Sequence, residues 1–113
     1  MQEVEFRIPR DADLRRAEQL IEEACAALNL TPAMKGALAS YPGSTHWHYK
    51  NGKEKGTLEL TLSPRDRRIW AQVQSRRKAP WIDTLLREVQ GRIERALKTS
   101  PDTSTRPTSS RQP

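Results

Sequence analysis

Val4, Phe6 and Ile8 alternate with Glu3, Glu5 and Arg7, the two-residue period of a strand with one buried face. A strand is therefore predicted over residues 3–8. Pro9 closes it, because proline has no N–H to give to a ladder. Asp11 or Asp13 then supplies a helix cap, and Leu14, Ala17, Leu20, Ile21, Ala24 and Leu28 recur at helical spacing with Glu18, Glu22 and Glu23 on the other side. Asn29 fits the end of that helix.

Residues 30–44 carry no clean period. A short strand or an irregular loop is expected at 34–40, followed by turn chemistry at Tyr41-Pro42-Gly43-Ser44. Three clearer strands come next. Residues 45–50 set Trp47 and Tyr49 on one face and His46 and His48 on the other. Residues 57–62 turn Leu58, Leu60 and Leu62 inward and Thr57, Glu59 and Thr61 outward. Residues 67–74 turn Ile69, Ala71 and Val73 inward, leaving Arg68, Trp70, Gln72 and Gln74 outside. Pro80 suits the first turn of a second helix, where a missing N–H costs nothing, and Ile82, Leu85, Leu86, Val89, Ile93, Ala96 and Leu97 form its apolar stripe.

The order β-α-β-β-β-α, with one apolar face per element, predicts an α+β fold. Two helices cover one face of an antiparallel sheet of about four strands, and the other face is open to solvent. Composition adds boundaries. The large aliphatic residues and the single Phe all fall within residues 1–98, which are expected to form a single domain. Residues 99–113, rich in Ser, Thr and Pro, are expected to be a disordered tail. The lone Cys25 excludes an intramolecular disulfide, and it falls beside an apolar stripe, as a small buried thiol does. No apolar run approaches the ~20 residues of a membrane helix, and the N-terminus lacks a signal-peptide core. A soluble cytoplasmic protein with no membrane partner is predicted.

The net charge of +6 is not spread evenly. Lys50, Lys53, Lys55, Arg65, Arg67, Arg68, Arg76, Arg77 and Lys78 face only Glu54, Glu59 and Asp66 across residues 49–78, an excess equal to the whole net charge. In an antiparallel meander the 51–55 loop and residues 75–79 fall at one end of the sheet, and the 63–66 turn at the other. Two basic patches follow. Lys50, Lys53, Lys55, Arg76, Arg77 and Lys78 make one; Arg65, Arg67 and Arg68 make the second. Basic side chains just before a helix N-terminus suit phosphate, and an outward Trp70 beside Arg68 suits base stacking.

The order α-β-β-β-α over residues 12–98, with basic residues opening the last helix, resembles a double-stranded RNA-binding domain, and the resemblance implies RNA as a partner. It is a likeness of element order. Arg76-Arg77-Lys78-Ala79-Pro80 stands where that family carries a lysine-rich motif, the strand at 3–8 is an addition, and the first helix is acidic outside.

The expected function is a non-enzymatic binding module whose basic hairpin region engages a polyanion, nucleic acid foremost, with no cofactor. The alternative is a protein-interaction or homodimerisation module built on the open sheet face around Trp70. A third reading places a metal on His46, His48 and Glu59: the two histidines point the same way from one strand, Glu59 can sit opposite on the next, and imidazole with carboxylate suits Zn or non-haem Fe. No Gly-rich phosphate loop or nucleophile motif points to an enzyme.

Overall fold

A computed structural model describes residues 1–98. Their elements are β1 (Gln2–Glu5), a 3₁₀ turn (Leu14–Arg16), α1 (Ala17–Ala27), β2 (Thr31–Gly36), β3 (Thr45–Lys50), β4 (Leu58–Ser63), β5 (Arg68–Val73), a second 3₁₀ turn (Ser75–Arg77) and α2 (Pro80–Lys98). The tail expected at residues 99–113 lies outside the described residues. Among the described residues, no helix is long and apolar enough to cross a membrane.

The α+β fold is as the alternation predicted, with five strands in place of about four. All five are antiparallel, in the order β1-β5-β4-β3-β2. β2 to β5 form a meander, and β1 adds to its far edge. The chain between β1 and β2 therefore passes from one edge of the sheet to the other, and α1 lies on that path.

The extra strand is β2, and it begins before the stretch 34–40 where the sequence left a strand open. Its six residues TPAMKG are all exposed, so no buried face imposes a period. Pro32 is tolerated because β2 is an edge, and the register slips by one residue between Pro32 and Met34. Lys35 fixes the edge to α1, reaching Glu18 and Glu22 at 2.7 Å each.

The core lies between the sheet and the helices. Trp47, Tyr49, Leu58, Leu60, Leu62, Ile69 and Val73 meet Ile21 and Cys25 of α1 and Ile82, Val89, Ile93 and Leu97 of α2. Local chemistry sets the helix ends. Asp13 accepts from the Arg15 amide and caps the 3₁₀ turn that leads into α1. Asn29 takes a left-handed φ of 62° just past α1, the conformation in which a helix commonly stops. Burial pushes the Cys25 thiol up to about 12, with a hydrogen bond to Tyr49 working against that rise. Because the thiolate is the reactive form, iodoacetamide at about pH 8 should leave the native protein unmodified while urea-unfolded chain reacts fully. Rapid labelling of the native protein would mean that α1 is loosely seated.

The second sheet face departs from expectation at its centre, where side chains are buried, while its edges stay exposed or half-buried. Thr57, Glu59 and Thr61, assigned to solvent by alternation, are 6%, 6% and 1% exposed, and His46 is 6% exposed. The reason is position. β4 is the central strand, so its outward side chains are flanked by larger ones from β3 and β5. Trp70 is buried as well, which corrects its placement as an exposed aromatic. The Tyr41 ring lies 5.0 Å from it, and the Arg68 guanidinium sits 4.2 Å above its ring. Arg68 is held there by two 2.8 Å hydrogen bonds to Glu5 and a third, at 3.3 Å, to the Tyr41 hydroxyl.

Candidate metal centre and the basic trough beside it

Strand register brings the three predicted ligands together. His48 pairs directly with Glu59 across β3 and β4, and His46 pairs with Thr61 one step along the same face. His46 Nε2 lies 3.4 Å from Glu59 Oε1, and His48 Nε2 lies 3.8 Å from the same oxygen. One ligand atom from each of the three residues lies within 4.8 Å of the other two. The imidazole rings stand nearly edge to face, with centroids 5.1 Å apart.

These separations are longer than the ~2.7–2.9 Å of a charge-assisted hydrogen bond. They approach the roughly 3.0–3.4 Å between two ligands that each sit ~2.1 Å from a shared ion. Glu59 is thus a buried carboxylate whose imidazole neighbours stand back from it.

The surroundings of His46 fix the orientation of its ring. Its Nδ1 lies 2.7 Å from the buried Thr61 hydroxyl, which leaves Nε2 aimed at Glu59. A metal-ligating histidine ordinarily has its second ring nitrogen anchored in this way. Burial holds the His46 imidazole below its ordinary pKa; the Glu59 charge opposes that shift and His48 adds to it. The ring is neutral at pH 7, with a lone pair to give.

Arg77 closes the remaining side. Its guanidinium lies 3.4 Å from His48 Nδ1 and 3.7 Å from Glu59 Oε2. Arg77 belongs to the second 3₁₀ turn, and its backbone carbonyl accepts from the Thr57 amide at 3.0 Å, which ties that turn to the start of β4. Gly56 permits this approach: with φ of 104°, an added Cβ would stand 2.6 Å from that of Ala79.

The expected basic residues divide unequally. The 51–55 loop and residues 75–79 do lie at one end, where the Trp81 indole donates to the Lys55 carbonyl at 2.7 Å. Lys50, Lys55, Arg76 and Arg77 line one hollow of about 570 Å³ together with His48 and Thr57. A second hollow, of about 420 Å³, is lined by His48, Glu59, Gln74, Ser75, Arg76 and Arg77. The two share His48 and both arginines, forming a trough that runs past the ligand triad. Lys53 is exposed in its loop outside this lining, and Lys78 lines a separate hollow with Gln2 and Asp83.

At the other end the expected patch of Arg65, Arg67 and Arg68 is largely consumed by the fold. One Arg67 amino group donates to the carbonyls of Pro9, Arg10 and Ala12 at 3.1–3.3 Å, while Arg68 is committed to Glu5, Tyr41 and Trp70. Arg65 remains exposed.

Two contributors carry no signal of their own in the sequence. Thr61 has the pattern of an ordinary outward threonine, although two-residue spacing puts it on the face of Glu59. Tyr41 sits in a segment that signals only a turn. Arg77 is expected as a polyanion contact, but nothing in its own segment signals that it meets His48 and Glu59. No family model, curated protein or solved structure gives a significant match to the chain.

Proposed function

We propose that this protein binds one divalent transition-metal ion through His46 Nε2, His48 Nε2 and Glu59. The observation that carries the reading is the convergence of these three ligand atoms on paired central strands, with Thr61 fixing the His46 ring. Two imidazoles and a carboxylate suit Zn²⁺ or Fe²⁺, and three protein ligands leave coordination positions for a further group. Strand pairing holds the three side chains side by side, and binding draws their ligand atoms in from the present 3.4 and 3.8 Å separations.

The test is elemental analysis of the protein after equilibration with Zn²⁺ and desalting. About one ion per chain is expected, and none in His46→Ala or His48→Ala. Thr61→Val should fold and still bind, with affinity lowered about 10–100-fold, because it removes the anchor of His46 but no ligand. Equal metal content in the wild type and both histidine variants would refute the assignment.

A second reading is favoured by the trough. Lys50, Lys55, Arg76 and Arg77 lie along one surface, and these residues would engage a polyanion, nucleic acid foremost, without any metal. This reading predicts DNA or RNA affinity that falls steeply with salt. Retention that ignores salt, or no retention at low salt, would end it. The alternative interface around Trp70 has lost its support, since Tyr41 and Arg68 cover that ring.

A further inference from the structure

The position of Arg77 has a chemical consequence for the metal reading. A guanidinium can only donate, so where Arg77 bonds His48 Nδ1, that nitrogen accepts and the ring proton sits on Nε2, facing Glu59. A metal ion on Nε2 displaces that proton. The neutral ring then carries its proton on Nδ1, because ligation through Nε2 with a bare Nδ1 would require an imidazolate. Nδ1 thereby changes from acceptor to donor beside a guanidinium that is also a donor. Glu59, the other partner of Arg77, meanwhile gives its charge to the ion.

Metal loading thus leaves two donors, the Arg77 guanidinium and His48 Nδ1–H, facing one hollow, with the acceptors that Arg77 had in the metal-free protein withdrawn. Arg76 lines the same hollow, as do Ser75 and Gln74. The group that restores the balance is an oxyanion with several acceptor oxygens, one of which can fill an open coordination position. Guanidinium forks match phosphate geometry well.

Resting on the metal assignment above, we infer that the loaded centre binds a phosphate group in the hollow between the ion and the Arg76–Arg77 pair, so that metal and phosphate bind cooperatively. The group is a terminal phosphate, either free or at the end of a nucleic-acid strand. Arg77 is the switch: it neutralises Glu59 in the metal-free protein and turns to the phosphate in the loaded one.

The experiment uses the full chain, with Co²⁺ as a spectroscopic metal. Co²⁺ is titrated by its visible d–d band, alone and with inorganic phosphate. Phosphate should raise Co²⁺ affinity about 5–150-fold and shift the band, and by linkage Co²⁺ should raise phosphate affinity by the same factor. Arg77→Ala should bind Co²⁺ at least as tightly as wild type, having lost a competing cation, while the phosphate effect disappears. Arg76→Ala should weaken that effect. In the source arms, a 5′-phosphorylated oligonucleotide reproducing the shift, with its unphosphorylated twin silent, assigns a strand end; inorganic phosphate acting alone assigns the free ion. One-to-one Co²⁺ binding with no response to any phosphate probe overturns this inference and leaves the metal assignment standing. An undiminished phosphate effect in Arg77→Ala also overturns it. Absence of Co²⁺ binding overturns the metal assignment itself.

Discussion

Glu59→Gln should lose metal binding by more than about 100-fold while the metal-free protein keeps its stability, within about 1 kcal/mol of wild type or above it. The two halves of this expectation have different causes. Gln keeps the shape of Glu but is a poor ligand, so the triad is left with two imidazoles. Stability survives because of what remains after the charge is removed. Breaking a buried ion pair is costly when it strands a buried charge, but here His46 is neutral and the Arg77 side chain is 49% exposed. The substitution also removes the cost of keeping a carboxylate at 8% side-chain exposure with loosely placed partners. In thermal unfolding, Zn²⁺ at a hundredfold excess over Kd should raise the wild-type Tm by roughly 10–20 °C and leave the variant unmoved. A Glu59→Gln protein that is several kcal/mol less stable, in the absence of any wild-type metal response, would identify the cluster as a structural ion-pair network.

The second large effect concerns the face that alternation assigned to solvent. Trp70→Ala should cost about 3–5 kcal/mol, lowering Tm by more than about 12 °C, because a 3%-exposed indole is lost from between Tyr41, Arg68 and the sheet. An indole on an open sheet would cost far less. Trp70→Phe retains a ring beneath Arg68 and should recover much of the loss. Urea unfolding monitored by far-UV circular dichroism measures both. A loss below about 1 kcal/mol for Trp70→Ala would mean that Tyr41 and Arg68 do not cover the ring in solution.

These two sites show what a sequence can and cannot carry. Leu58, Leu60 and Leu62 betray β4 because the core imposes a two-residue period, and the stripe from Ile82 to Leu97 betrays α2 in the same way. β2 stayed ambiguous because an exposed edge imposes no period on TPAMKG. The burial of Trp70 was hidden for a different reason: alternation tells which side of a sheet a residue faces but not what covers that side. The cover comes from Tyr41, far away in sequence, and from Arg68, whose charge suggests solvent until Glu5 is seen opposite. The triad was half legible. Two-residue spacing put His46 and His48 on one face, but the hairpin register that sets His48 against Glu59 and His46 against Thr61 depends on the long 51–57 connection. Of the nine basic residues, only those whose charge the fold does not consume remain free to meet a ligand, and sequence counts them all alike.

The most direct test of the metal assignment is a calorimetric titration of Zn²⁺ into the chelator-stripped 113-residue chain, run beside the His46→Ala/His48→Ala double variant. One equivalent should bind the wild type with Kd at about micromolar or below, and the double variant should give no comparable heat. Absence of binding in the wild type, or the same isotherm in both proteins, would contradict it.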